Sequence, residues 1–168
     1  MSLNLSWITD ELAIGGSFSC DLVDLLAREH RIGAIVDLRE EACDDVALLA
    51  THHIDFLHLP TPDNHGVSAS MLREGVAFVS RHVRARRRVL VHCEHGIGRS
   101  ALLGLCVLVE HGHAPLAALE LAKSRRARVS PNALQYEAWV GWLRERGHPA
   151  PTFEEFAAIA YRGIGGDG

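Results

Sequence analysis

The 168-residue sequence is poor in the features that would place it outside the ordinary globular proteins. It has four cysteines, Cys20, Cys43, Cys93 and Cys106, with no CxxC pair and no disulfide-scaffold density, so free thiols in a reducing compartment are expected. No apolar run approaches the roughly 20 residues a membrane span needs. The N-terminus lacks a basic segment followed by an apolar stretch, so no signal peptide is read and a cytoplasmic location is expected. There is no excess of positive charge: the net charge of -4 argues against general nucleic-acid binding. No internal repeat, low-complexity tract or linker divides the chain, and residues 1–168 read as one domain.

What is present is an ordinary globular composition, 48% hydrophobic and 23% charged, enough for one core. Leu5–Ile14 reads as a short β-hairpin turning at Thr9-Asp10-Glu11. Asp21–His30 carries Leu22, Leu25 and Leu26 at helical spacing. Gly33–Leu38 is a short branched apolar run, hence a buried strand, and Glu40–His52 looks helical. Ile54–Leu59 is a second strand, stopped by Pro60 and Pro62. Ser68 caps a helix to about Arg87, with Met71, Leu72, Val76, Val79 and Val83 on one stripe. Val89–His92 is a third buried strand. Helices follow over Ser100–His111, ended by Gly112, then from Pro115, from Pro131 to about Arg146, and from a Thr152 cap to Tyr161; Gly163–Gly168 is expected to fray. The fold class is therefore α/β. A central, mostly parallel sheet of about four to five strands is flanked by helices, and the C-terminal third is helical. Two basic clusters, Arg81–Arg88 and Lys123–Arg128, read either as cations at helix C-termini or as a rim around an anionic substrate site.

The loop His92-Cys93-Glu94-His95-Gly96-Ile97-Gly98-Arg99-Ser100 joins a buried strand to an apolar helix. Loops at the carboxyl ends of strands in open α/β sheets bind ligands, and a helix N-terminus offers free N–H groups to an anion. Gly96 and Gly98 let successive amides turn inward. Arg99 adds a permanently charged fork for two phosphate oxygens. Glu94, His95, Gly96, Ile97, Gly98 and Arg99 thus form a phosphate cradle with Cys93 at its mouth. Such surroundings lower cysteine pKa values and favour the thiolate nucleophile. Cys106, inside the apolar run Leu102–Val109, reads as a buried hydrophobe.

His92-Cys93, five residues, then Arg99-Ser100 resembles the signature of the protein tyrosine phosphatase superfamily, in its small dual-specificity branch. Trp7–Gly15, Ile35–Glu40 and Pro131–Trp139 are similar to that family's opening hairpin, first core strand and a late helix that often bears a glutamine. The resemblance implies a cysteinyl-phosphate mechanism with no cofactor and no metal. It makes Asp63, in Pro60–Gly66, the general acid. It gives Ser100 a hydrogen bond to the Cys93 sulfur and His92 a bracing role. Gln135 would position the hydrolytic water; the plainer reading is a glutamine on an exposed helix face. Arg128 approaches the site from the segment before Pro131. Asp55 on a strand and Asp44 and Asp45 on a helix compete poorly for the acid.

Phosphotyrosine, with phosphoserine or phosphothreonine, is the leading substrate class, on a phosphorylated protein or a small phosphomonoester, for a monomeric enzyme. Phosphoinositides and RNA 5′ phosphates are the alternatives on the same fold. Glu94, facing outward, would disfavour a polyanionic head group. His95 either contacts substrate or is a plain loop histidine. Other classes are a rhodanese-like sulfurtransferase, a phosphate-binding module without catalysis, and a metal site on His92–His95, which lacks ligand-partner spacing. Cys43 is not expected to act as a resolving partner for Cys93.

Overall fold

Four short apolar segments align in parallel and make the frame of the molecule. In the computed structural model, which describes residues 3–164, β2 (Leu12–Gly15), β3 (Ile32–Arg39), β4 (Asp55–Thr61) and β5 (Arg88–His92) form a sheet with β1 (Leu5–Trp7) added antiparallel at one edge; the order is β1-β2-β5-β3-β4. Both faces of the central strands are covered, which is why they read as continuous apolar runs. Leu12, Ile14, Val36, Leu38, Val89 and Val91 face the larger core. It is covered by α3 (Ala69–Arg84), α4 (Arg99–Glu110), α5 (Pro115–Arg125), α6 (Ala133–Glu145) and α7 (Phe153–Ala160). Ala13, Ile35 and Leu90 face a smaller core closed by Val23 and Leu26 of α1 (Val23–Arg28) and Leu49 of α2 (Val46–Thr51). Helix α4 is buried from Arg99 to Val109, which matches its nearly unbroken apolar sequence. Its N-terminus therefore lies at the carboxyl end of β5, in the middle of the sheet.

The expected elements are present, with four boundary corrections. Residues 40–45 are not helical. Asp44 N donates to Asp37 Oδ2, the Asp44 carboxylate reaches Arg39 and His92, and Glu41 reaches Arg99, so tertiary partners hold this stretch open until Asp45 caps α2. Strand β4 runs through Pro60 to Thr61; it is the edge strand, where a residue without an N–H is tolerated. Helix α3 is capped by Ser68 as expected but stops at Arg84, and Arg86 adopts a left-handed φ of 62°. Helix α6 starts at Ala133, not at Pro131, because Asn132 and Gln135 form a reciprocal capping box. The end of the expected fraying tail, residues 165–168, lies outside the described residues.

The first basic cluster anchors the end of the sheet opposite the α4 N-terminus. Arg87 pairs with Asp55 at 2.8 Å, and Arg88 donates to the carbonyls of Asp10 and His30 with its guanidinium 3.5 Å from the Trp7 ring centre. It is not a rim around the loop 92–100.

Candidate active site

The loop between β5 and α4 is held by its carbonyls. Cys93 O accepts from His92 Nδ1 at 3.2 Å, Glu94 O from Ser17 N at 2.9 Å and His95 O from Arg126 Nη2 at 3.0 Å. Gly96 O accepts from Arg126 Nε at 2.8 Å and Ile97 O from Ser130 N at 3.0 Å. With five successive carbonyls bonded to the surrounding structure, the amides are left for the interior of the loop. Among the described residues, the amides of 94–98 donate to no backbone acceptor. Gly96 adopts φ +69°, and a Cβ there would lie 2.5 Å from Arg126 Nη2 and 2.6 Å from Gly15 C, so only glycine fits. Cys93 is 3% exposed, and its sulfur lies 3.2 Å from Ser100 Oγ.

Arg126 is a residue that sequence reasoning missed. It is buried, and it also donates to Asn4 Oδ1 and Ser6 Oγ. Burial, then the neighbouring Arg128, lowers its pKa to about 10, which leaves it charged at neutral pH. Arg126→Met would strand the carbonyls of His95 and Gly96. We expect a loss of about 2–4 kcal/mol in unfolding free energy, read by urea denaturation.

Arg99 is 1% exposed. Its Nη1 donates to Glu41 Oε1 at 2.7 Å and Thr61 O at 2.8 Å, and its Nη2 to Glu41 Oε2 at 2.8 Å. Glu41 was also missed, because the apparent helix over 40–52 gave it no reason to face the site. The Arg99 bond lowers the Glu41 pKa to about 2. A further donor, Arg99 Nε, is buried with no partner among the described residues. Asp63 sits in the turn after β4, with Oδ1 3.4 Å from Arg99 Nη2 and accepting from Asn64 N at 2.9 Å. Its side chain is 56% exposed. Asp63 and Cys93 line the same cleft of about 120 Å³, together with His95, Ile97, Gly98 and Gln135.

Behind the loop lies an ion network. His92 is fully buried, with Nε2 2.6 Å from Asp44 Oδ2. Both ring nitrogens face acceptors, the Cys93 carbonyl and the Asp44 carboxylate. Arg39 joins Asp37, Asp44 and Glu94, through Nε and Nη2 to Asp37, Nη2 to Asp44 and Nη1 to Glu94. Asp44 is thus a brace in a loop rather than a helix residue. Glu94 does not project freely into the mouth: Ser17 Oγ at 3.1 Å and Arg39 Nη1 at 3.2 Å hold its carboxylate.

Gln135 is 2% exposed, so it does not lie on an exposed helix face. Its Oε1 accepts from Asn132 N at 2.8 Å, and a Cβ on Gly98 would lie 2.5 Å from that oxygen. Asn132 Nδ2 donates to Asn64 O at 2.8 Å, tying α6 to the Asp63 turn. Arg128 is exposed and bonded to Asn4 Oδ1 at 3.3 Å; it is not among the residues lining the cleft. Cys43 is exposed, and desolvation, then the charges of Asp37 and Asp44, raises its thiol pKa. Burial pushes the Cys106 thiol far up.

Among the described residues, two sets of donor atoms lie close enough to meet one ion, Asp37–Cys43–His58 and Asp37–Asp44–His92. Both depend on Asp37. Its Oδ1 already accepts from Arg39 N and Nε, and its Oδ2 from Arg39 Nη2 and Asp44 N. A carboxylate offers about four lone-pair sites, so Asp37 has none left to give, and the clusters are parts of the ion network.

The chain is similar to known proteins. Residues 16–144 match the family model for the dual specificity phosphatase catalytic domain. The chain is 35% identical over 121 residues to dual specificity protein phosphatase 4 of Rattus norvegicus, covering 60% of this chain and 31% of that protein. It is 30% identical over 138 residues to dual specificity protein phosphatase 5 of the same species, covering 76% and 34%. The chain thus spans about a third of the length of these curated relatives. Among solved structures, Tk-PTP in its active form superposes with a TM-score of 0.78 at 25% identity, over 86% of this chain and 99% of that one. Human DUSP28 gives 0.76 at 20%, over 88% and 97%, a likeness of fold. No helix among the described residues is long and apolar enough to cross a membrane. The loop 92–100 lies within the matched residues, and the chain belongs to the dual-specificity phosphatase family, within the protein tyrosine phosphatase superfamily.

Proposed function

We propose that this chain is one catalytic domain that hydrolyses phosphomonoesters through a cysteinyl-phosphate. The observation that carries the reading is the set of unclaimed donors around Cys93. The amides of 94–98 lack backbone acceptors, and the buried Arg99 Nε has no partner. Buried donors are rarely left unpaired, and a tetrahedral dianion in the loop satisfies them together. The same donors favour the thiolate and stabilise charge on the transferring phosphoryl group.

In this mechanism the Cys93 thiolate attacks phosphorus. The bond to the leaving oxygen breaks as Asp63 gives that oxygen its proton. Water then attacks the cysteinyl-phosphate, passing a proton to the Asp63 carboxylate. The S–P bond breaks toward Cys93, whose sulfur accepts a hydrogen bond from Ser100. His92 fixes the start of the loop, and Gln135 lies where it can orient the water. None of these steps uses a metal. The leading substrates are phosphotyrosine and phosphoserine or phosphothreonine in proteins, for a monomer acting in the cytoplasm.

Phosphoinositides form the second reading. The observation favouring it is that Glu94 is paired with Arg39, which removes the repulsion expected from a free carboxylate. A PTPMT1 structure with a similar fold is described in complex with PI(5)P. The test compares kcat/KM across tyrosine and serine phosphopeptides, inositol phosphates and triphosphorylated RNA. Preference for a phosphopeptide is expected. Turnover of none of these, with activity on thiosulfate instead, would move the chain to sulfur transfer.

A further inference from the structure

We infer that Arg39 and Ser17 form a charge mask on Glu94, a positioning device that keeps a carboxylate carried by the phosphate loop from opposing the anion bound in that loop. The inference rests on the phosphatase reading above. Glu94 follows the nucleophile directly, and its amide is one of the inward donors. A loop that binds a dianion gains nothing from a free carboxylate at this position. The structure deals with it from two sides. Ser17 lies outside the loop and holds Glu94 twice: its Oγ donates to Oε1 at 3.1 Å, and its N donates to the Glu94 carbonyl at 2.9 Å. Arg39 supplies the opposing charge through Nη1 at 3.2 Å.

Arg39 is built to stay in place. It is 7% exposed at the end of β3, and Nε and Nη2 are held at 3.0 Å by the two oxygens of the fully buried Asp37. Nη2 also meets Asp44 at 3.1 Å. Burial works against its charge, but the Asp37 and Glu94 bonds and the field of Asp44 more than offset it, so its pKa lies above the ordinary arginine value. With two edges of the fork fixed from behind, Nη1 is presented to the loop. The Glu94 side chain remains 39% exposed, so replacing it disturbs no core.

The experiment separates charge from packing at one position. Glu94→Gln removes the charge. Glu94→Asp keeps it but draws it back by about 1.5 Å, one carbon–carbon bond, out of reach of Arg39. Inhibition by inorganic phosphate and KM for an aryl phosphate are measured in the full chain at low and high salt. The Ki for phosphate in Glu94→Asp is expected to be on the order of tenfold weaker than in Glu94→Gln, with a much smaller difference in kcat. The gap should shrink at high salt, because screening acts on charge and not on packing. Arg39→Met should show the same weakening, and adding Glu94→Gln to it should restore phosphate inhibition to within about threefold of Glu94→Gln alone. Equal Ki values for the Asp and Gln variants would overturn the mask. So would an Arg39→Met defect that Glu94→Gln does not relieve. If Arg39→Met does not fold, the comparison at position 94 decides alone. A wild-type chain without phosphomonoesterase activity would sink the underlying reading instead, a result distinct from either of these.

Discussion

Cys93→Ser should leave the phosphate cradle intact and remove the reaction. The expected loss in kcat on a generic aryl phosphate is on the order of 10⁴–10⁶-fold, the scale seen when a covalent nucleophile is deleted elsewhere. A serine hydroxyl lacks the ionisation that this site offers a thiol: inward amides, the α4 N-terminus and Arg99 stabilise a thiolate but leave an alkoxide far out of reach at neutral pH. Binding is a separate matter. The donors proposed to face the phosphate are backbone amides and Arg99, and the bonds that hold the loop in place run from Ser17, Arg126 and Ser130 to loop carbonyls, none through the sulfur. The dissociation constant for inorganic phosphate should therefore stay within a few-fold of wild type, or tighten as the competing thiolate charge is lost. Calorimetry on Cys93→Ser beside wild-type kinetics checks both halves. Turnover comparable to wild type in this variant would dismiss Cys93 as nucleophile. Intact folding with lost phosphate binding would mean that the loop depends on the sulfur for its shape.

The loop was legible because its chemistry is contiguous: strand, cysteine, two glycines, arginine and serine lie within nine residues, and their spacing is fixed by the chain itself. Asp63 was reached through the family resemblance, and it shares a cleft with Cys93 because the carboxyl ends of β4 and β5 lie on the same side of a parallel sheet. What could not be read were the groups that reach the loop across the fold. Glu41 and Asp44 sit in a stretch whose Ala and Leu content suggests a helix, and local propensity gave way to two buried polar side chains, Arg99 and His92, that needed partners. Arg126 looked like one more cation at a helix end. Its burial and its bonds to Gly96 and His95 follow from where α5 delivers the chain, 30 residues after the loop it supports. For Glu94 the sequence supplied the charge but not its effect, because the effect depends on Arg39, 55 positions away. For Gln135 the plainer alternative, an exposed helix face, fails because a residue three positions into a helix turns back toward the cap, and that cap packs against Gly98.

Asp63→Asn tests the second half of the catalytic pair, and its effect should depend on the leaving group. A general acid contributes about 10²–10⁴-fold when the departing oxygen needs a proton. Loss of that order is expected in kcat for a phosphoserine peptide, whose alkoxide leaves poorly. With p-nitrophenyl phosphate, whose leaving group is already a stable anion, the defect in the first step should be much smaller. KM should not rise. Asp63 Oδ1 lies 3.4 Å from Arg99 Nη2, so neutralising it removes a competitor for the guanidinium that is proposed to bind phosphate. Other carboxylates near the site are poorly suited to take over. Arg99 holds Glu41 at a pKa of about 2, so it carries no proton to donate at neutral pH. Asp37 and Asp44 are bonded to Arg39 and His92 behind the loop, away from the cleft that Asp63 shares with Cys93. Wild-type kinetics in Asp63→Asn with both substrates would therefore point to a proton delivered by solvent or by the substrate itself, and the two-residue mechanism would have to be withdrawn.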